Sequence, residues 1–405
     1  MKPTEVEKLA PRGCEVCGGN QTLLLFEQRF TPMSEGSLLS GYNVAACKQC
    51  GFCYADRLPD QGAFDRYYRD MSKYEQPSVA GQPSKFDVER FRITVEKIRR
   101  CVPDANAHIT EIGCAAGLLL SLLKQSGYTR VAGLDPSPVC GRLAGELYQV
   151  PVQCGAVSDN LIPSGSVDLL ILIGVMEHIR DLRSALEKMA AMLAPGGRMF
   201  ITVPDASRYA AGDDAPFQEF SLEHINYFGP VSLSNLMARY GFHCVSTEQA
   251  MQRVNLQTVT PVIHAVFEKL PPGAKADRVK DEDTWRGLKR YVEQSRTDND
   301  AVQPILNKLA ASRKPVLVWG AGSHTLRLLA TSRLARANLV GIVDSNPRYQ
   351  GKNINGVPIL KPDAARDTDA SILISSRVFQ ESIERQIKEA LRLKNEVLTL
   401  YQLDE

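Results

Sequence analysis

The sequence predicts an α/β protein with two Rossmann-like sheets preceded by a small cysteine-bearing module. Three observations predict it. Cys14, Cys17, Cys47 and Cys50 are spaced C-x2-C, 29 residues, C-x2-C. The stretch from Ala107 to Pro136 reads strand, glycine turn, helix and acidic-tipped strand, one half of a nucleotide-binding sheet. A second unit of that kind opens with KPVLVWGAGSHTLRLLA and continues to VGIVDSN.

The bulk properties limit what such a chain does. Apolar content of 44%, charged content of 23% and a formal net charge of +2 over 405 residues describe an ordinary globular protein of two or three domains. No basic stripe points to a nucleic-acid partner. The opening MKPTEVEKLAPRG has no apolar secretion core, and the longest strongly apolar run, Leu169–Met176, is far short of a membrane span. A cytoplasmic protein with reduced thiols is therefore expected. Five of the ten cysteines fall within the first 53 residues, and such clustering in a large cytoplasmic chain argues for metal over disulfides.

Taken in order, the two C-x2-C knuckles place four thiolates around a tetrahedral Zn²⁺, and four protein ligands leave no open position for chemistry. Cys53 extends the second knuckle to C-x2-C-x2-C, so a register that uses Cys53 stays open. Leu23–Phe30 and Gly41–Ala46 read as short strands of a zinc-ribbon-like module that the metal holds folded. Tyr67, Tyr68 and Tyr74 follow, placed either to cover a cofactor edge or to pack an amphipathic helix. A helix is expected over Lys85–Arg100.

The first sheet begins at His108–Ile112, turns through Gly113 and Gly117, runs a helix over Leu118–Gln125 and returns over Arg130–Leu134 to Asp135. Glu111 precedes the first glycine by two residues, giving E-x-G-x-A-x-G where a dinucleotide site would have G-x-G-x-x-G. That pattern favours S-adenosylmethionine (SAM), whose amino acid and ribose pass close to the turn with no pyrophosphate to cradle. DLLILIG from Asp168 suits a central strand covered on both faces. A helix follows on Met176, Ile179, Leu182, Leu186, Met189 and Leu193, and Pro195, Gly196 and Gly197 end it. Glu177 and His178 stand at the carboxyl end of that strand, where ligands bind in open α/β sheets. His178 suits either ligand contact or a structural place at the helix start.

The insertion PFQEFSLEHINYFGPVSLSNLMARYGFHCV contains Phe217, Glu219 and Phe220 and sets the adjacent Glu223 and His224 among aromatic residues, an acid/base pair on a loop above the sheet. Adjacent side chains point in different directions, so Glu223 need not orient His224. Residues 251–300 read as a helical bridge, with periodicity broken at Pro261 and Pro271-Pro272. In the last unit Gly320, Gly322 and Asp344 resemble a dinucleotide fingerprint, but Ser323, His324 and Thr325 stand where its third glycine would be sought. A supporting role, for the fold or for the substrate's nucleotide, is the better expectation. The expected divisions are 1–80, the zinc module and covering segment; 81–250, the SAM domain; 251–300, the bridge; and 301–405, the second Rossmann-like domain.

With these motifs in hand, the chain resembles the sugar C-methyltransferases of deoxysugar and natural-product biosynthesis nearly end to end. The resemblance rests on the four-cysteine module, EIGCAAG with GLDPS, DLLILIGVMEHIRD with LAPGGRMFITVP, EHINYF, and VWGAG with IVDSNPRYQGKNINGVPI. It implies a class I SAM methyltransferase domain between a zinc module and a Rossmann-like domain. It also implies that Glu111, Gly113 and Gly117 line the amino-acid and ribose end of SAM, that Asp135 accepts from the ribose hydroxyls, and that Gly155 and Ala156 border the adenine. An N-capping role for Asp135 is the competing reading. His224 becomes the base, Glu223 its neighbour beside the sugar, and Tyr74 an aromatic contact. Ser221 departs from the family, which has a tyrosine there. The implied reaction is methylation at C3 of a nucleotide-linked 4-keto-6-deoxysugar. The alternatives are O- or N-methylation of a sugar or other small metabolite, and a non-catalytic nucleotide-sugar binding protein.

Overall fold

A computed structural model describes residues 9–71, 83–256, 258–271 and 278–402. Tyr74 lies outside the described residues. The amino-terminal module supplies β1 (Thr22–Arg29), β2 (Gly41–Cys47) and β3 (Cys53–Asp56), paired antiparallel. Every residue of β3 is buried, because larger elements cover both of its faces. Helices α1 (Gln61–Met71) and α2 (Lys85–Cys101) lead into the large sheet. Ser84 starts α2 by accepting from the Asp87 N–H at 3.0 Å, which satisfies one of the donors a helix leaves open at its first turn.

The large sheet uses β4 (His108–Ile112), β5 (Arg130–Asp135), β6 (Val152–Cys154), β7 (Val167–Ile173) and β8 (Leu193–Pro204). Its helices are α3 (Leu118–Gln125), α4 (Pro138–Leu143) and α5 (Leu182–Met192). The insertion contains β9 (Asn226–Tyr227) and leads to α6 (Pro230–Arg239), β10 (Phe242–Arg253) and β11 (Val259–Lys269). Strand order is β10-β11-β8-β7-β4-β5-β6, with only β11 running against the rest. This is the class I SAM methyltransferase arrangement. The chain leaves β4 in opposite directions toward β5 and β7, so the adjacent carboxyl ends of β4 and β7 open a crevice.

After α7 (Asp283–Ser312) come β12 (Pro315–Trp319), α8 (Ser323–Thr331), β13 (Asn338–Val343), β14 (Asn353–Ile354), β15 (Val357–Leu360), β16 (Ser371–Ile374), α9 (Gln380–Arg385) and β17 (Val397–Thr399). Their order is β14-β15-β13-β12-β16-β17, parallel except for β14. Two α/β sheets and a cysteine module therefore follow in the expected order. Among the described residues no helix is long and apolar enough to cross a membrane.

The cores are shared between units. Cys14, Phe52 and Tyr54 of the amino-terminal module pack in one cluster with Leu172 and Ile201 of the large sheet. Tyr42, Phe220, Leu288 and Val318 pack in another that spans the module, the insertion, α7 and the last sheet. One more strand, β9, pairs with β3, so the insertion closes the amino-terminal sheet as its fourth strand.

Two expectations are corrected. The bridge over 251–300 is not helical in its first part, because Val259–Lys269 form a strand between β10 and β8. Val262, Ile263, Ala265, Val266 and Phe267 are buried there on both faces, which gives the apolar run of a central strand without helical spacing. Among the described residues of this span, α7, from Asp283, is the helical part. Pro195, Gly196 and Gly197 also do not end a helix. The helix stops at Met192 and these residues already belong to β8.

Candidate functional site

The crevice at β4 and β7 is a cavity of about 680 Å³. Its floor is the glycine turn. Gly113 and Gly117 have φ of 69° and 83°, in the left-handed region that favours glycine. A Cβ on Gly113 would meet Val175 Cγ2 at 2.7 Å, and one on Gly117 would meet Val150 Cγ2 at 2.7 Å. Both positions therefore need glycine for φ and for space. Asp135, at the tip of β5, holds this turn: it accepts from the Ala115 N–H at 2.9 Å and from the Ser137 N–H at 2.9 Å. Ser137, not Asp135, caps α4. A carboxylate has room for further donors beyond these two, so a ribose contact and the turn contact are compatible.

Glu111 is 4% exposed, and its Oε2 has no hydrogen-bond partner in the structure. Burial and the nearby Asp135 push its carboxyl up to about 8. A buried acid on a cavity wall, whose carboxyl the nearby Arg90 draws down less than burial raises it, fits the ammonium of a bound SAM. Gly155 and Ala156 also line the cavity. The Gly155 N–H donates to the Asp135 carbonyl at 2.9 Å and the Ala156 N–H to Asp159 at 2.9 Å. Five of the six expected cofactor positions, Glu111, Gly113, Asp135, Gly155 and Ala156, thus line one cavity, and the sixth, Gly117, lies behind it between the lining residues Ala116 and Leu118, packed toward Val150.

The other end of the cavity is built by the insertion and by the turn after β7. His224 lines it, half-buried, with Glu177 and His178. The His178 ring lies 5.1 Å from the His224 ring, centroid to centroid. His178 Nδ1 donates to the Glu223 carbonyl at 3.0 Å, which leaves Nε2 of a neutral ring as the acceptor. Glu177 is 2% exposed, with Oε1 3.9 Å from that Nε2 and Oε2 without a hydrogen-bond partner. Burial pushes Glu177 up to about 7, and His224 pulls the other way.

Glu223 accepts from the Tyr67 hydroxyl at 3.0 Å. Two carboxylates stand near His224: Glu219, with Oε2 3.6 Å from Nδ1, and Glu177, with an oxygen within 4.8 Å of a ring nitrogen. Ser221 accepts from the Glu223 and His224 N–H groups at 3.3 and 3.1 Å. It caps the turn that carries the pair. Sequence reasoning named Glu177 and Glu219 but gave neither a role. The signal for Glu177 was its place at a strand's carboxyl end, whereas nothing local linked Glu219 to His224.

The four cysteines come together. Cys14 and Cys50 Sγ are 3.5 Å apart, as are those of Cys17 and Cys47, and all four sulfurs lie within 4.8 Å of one another. Tetrahedral Zn–S bonds of about 2.3 Å need sulfurs about 3.8 Å apart, so the set fits zinc. Cys53 is outside it, fully buried in β3 opposite Ala46 and Tyr227. Among the described residues Glu177, His178 and His224 are the other set close enough for a metal, on the wall an acceptor must approach. The second Rossmann-like turn repeats the first: Asp344 accepts from the Ala321 and Asn346 N–H groups, both at 2.7 Å. It packs on the insertion, with Ser323 Oγ accepting from the Leu222 N–H at 3.3 Å.

Comparison with known proteins fits this geometry. Residues 86–247 match a methyltransferase domain family, and residues 312–398 match the C2185-like amino-terminal family. The chain is 23% identical over 376 residues to C-methyltransferase NovU of Streptomyces niveus, covering 87% of this chain and 86% of that protein. It is 25% identical over 160 residues to a probable S-adenosylmethionine-dependent methyltransferase of Mycolicibacterium smegmatis, covering 39% and 60%. A ubiquinone biosynthesis O-methyltransferase of Methylobacterium is 34% identical over 103 residues, covering 24% and 41%.

Proposed function

From the premise that this chain is a SAM-dependent methyltransferase, we propose that it methylates C3 of a nucleotide-linked 4-keto-6-deoxysugar, in natural-product deoxysugar biosynthesis. The observation that carries the reading is that His224 and the cofactor turn border one cavity. Similarity along most of the chain to a protein named as a C-methyltransferase supports it.

Bound SAM would supply an electrophilic methyl group at the Glu111–Asp135 end. Glu111 would pair with its ammonium, and the Gly113–Gly117 turn would pass close to its amino acid and ribose. Carbon becomes a nucleophile only after a proton beside the ketone is removed. An imidazole with an ordinary pKa near about 6.5 can do this at cellular pH when within hydrogen-bond reach, and His224 is assigned that step. His178 and Glu177 stand beside it, where a charge developing on the substrate oxygen could be met. Glu223, tied to Tyr67, braces α1 against the insertion. Cys14, Cys17, Cys47 and Cys50 are assigned a structural Zn²⁺, and thiols held for a metal suit a cytoplasmic enzyme.

The experiment is SAM-dependent conversion of thymidine-diphosphate 4-keto-deoxysugars, followed by mass spectrometry and NMR. A product with a new methyl on C3 is expected. His224→Ala should slow C3 hydrogen exchange by about 10²–10⁴-fold, the usual range for a general base, and keep SAM affinity; unchanged exchange removes His224 as base. Ser221 favours one second reading, an O- or N-methyl acceptor that needs no ketone. A methyl found on oxygen or nitrogen would establish it.

A further inference from the structure

Adjacency alone does not make Glu223 the acid that orients His224, and the Glu223 carboxylate accepts from the Tyr67 hydroxyl. Another acid stands at the imidazole. Glu219 Oε2 is 3.6 Å from His224 Nδ1, five residues earlier in the chain, and its place is fixed from outside the insertion. The Glu219 N–H donates to the Tyr291 hydroxyl at 3.0 Å, and the Phe217 N–H donates to Ser295 Oγ at 3.2 Å. Both partners belong to α7. The His224 backbone is held separately, with its N–H on Ser221 and its carbonyl accepting from the Tyr227 hydroxyl at 3.0 Å. The two side chains are therefore brought together by different parts of the molecule.

Glu219 also lies on a different cavity. A second space of about 210 Å³ is lined by Glu219, Asp213, Asp214, Gln294, Asp298 and Arg377, among others, and Asp213 and Gln294 are exposed. His224 is part of the wall of the main cavity. His224 thus lines the main cavity, while the acid beside its Nδ1 lines the second.

We propose that Glu219 is the positioning residue of the base: it keeps a proton on His224 Nδ1, leaves Nε2 with the lone pair that attacks, and offsets the imidazolium formed. This rests on the C3-methylation reading. In the step, the C3–H bond breaks, its proton goes to Nε2 and its electron pair becomes the enolate. The enolate then forms the C–CH₃ bond as the S–CH₃ pair returns to sulfur, and one proton leaves per turnover. Facing His224 and Glu219 are Glu177 and His178 from the turn after β7, Asp214 from the insertion, Tyr227 of β9, Tyr209, Tyr291 of α7, and Arg377 after β16. Burial and then Glu219 push Asp214 up to about 7.

The test compares wild type, Glu219→Gln and Glu219→Asp. C3 hydrogen exchange is measured by NMR in D₂O on a thymidine-diphosphate 4-keto-deoxysugar with S-adenosylhomocysteine present, and kcat against pH is measured with SAM. An anion raises the pKa of a neighbouring imidazole. Its removal should therefore shift the acid limb of the kcat profile to lower pH. In Glu219→Gln, exchange and kcat should fall about 10²-fold, the low end for general acid–base catalysis, while SAM affinity, acceptor KM and melting temperature hold. Glu219→Asp should retain the wild-type limb. An active wild type with exchange, kcat and limb unchanged in Glu219→Gln overturns the positioning role. So does a loss of activity that comes with lost SAM affinity or a lowered melting temperature and leaves the limb in place. A wild type that neither exchanges nor methylates C3 instead overturns the reaction reading, and this inference with it.

Discussion

At Glu111 the physics of a single buried acid becomes a binding property. Its carboxyl is pushed up to about 8 by burial and by Asp135, so below that pH the free protein holds it neutral. Pairing with the SAM ammonium needs the ionised form. SAM affinity should therefore rise from about pH 6 toward about 8, then decline as the amino group itself loses its proton near about 8. Glu111→Gln should flatten the acid limb and weaken binding about tenfold or more at the optimum, since a charge-assisted bond contributes about 1.5–3 kcal/mol. Calorimetric titration of SAM across pH checks this; an acid limb that survives in the variant would remove Glu111 from the ammonium contact. Asp135 shows how far a residue is legible. Its type and place at a strand tip were read correctly, but a ribose contact was the only role that the pattern suggested besides capping. The same pair of backbone contacts at Asp344, in a unit with an incomplete fingerprint, shows that a strand-tip aspartate also serves to shape its turn.

Elements were legible where burial is symmetrical or a turn demands glycine, and obscure where a distant segment decides. β7 announces itself because a parallel strand covered on both faces reads as a continuous apolar run, and β4 through the glycine turn that follows it. β11 did not, since Pro261 suggested a break, and only its place between β10 and β8 makes Val259–Lys269 a strand. Helix α7 was placed within a bridge but not in contact with anything. It packs so closely on the chain after β8 that a Cβ on Gly287 would meet the Ser207 carbonyl oxygen at 2.2 Å and its Cα at 2.7 Å. Alanine would favour the helix by about 1 kcal/mol, whereas overpacking against backbone that cannot rotate away costs about 1–3 kcal/mol or more. The second effect wins. Gly287→Ala should lower the melting temperature despite its better propensity, and an increase would mean that α7 can move away from Ser207. Because α7 holds the Glu219 backbone through Tyr291, methyl transfer should fall in the same variant.

On the scale of the whole molecule, the acceptor end of the site belongs more to the amino-terminal module than to the methyltransferase sheet. β9 begins two residues after His224 and pairs with β3. Gln28 of β1 donates its side-chain amide to the Phe220 carbonyl at 2.5 Å. The Tyr42 hydroxyl of β2 donates to the Ser221 carbonyl at 2.7 Å. These strands hold the segment from Phe220 to Tyr227 on two sides; of the four cysteines, Cys14 and Cys17 precede β1, Cys47 ends β2 and Cys50 lies in the turn from β2 to β3. The order of modules was visible in the chain, but this dependence was not, because strand pairing between residues about 170 apart leaves no local trace. It gives the proposed zinc a consequence beyond stability. Binding free energy at a structural zinc is folding free energy, so losing the ion should loosen β3, then β9, then the backbone that presents His224. The glycine turn and Asp135 are held by β4, β5 and their own hydrogen bonds and should persist. Chelation, or Cys14→Ser, should therefore abolish most methyl transfer while SAM still binds with its wild-type affinity, and added Zn²⁺ should restore turnover in the chelated wild type. Zinc content, SAM calorimetry and turnover on the same preparation decide it. Full turnover without metal would show that β3 and β9 hold the insertion unaided, and parallel loss of SAM affinity would show that the module and the large sheet fold as one unit.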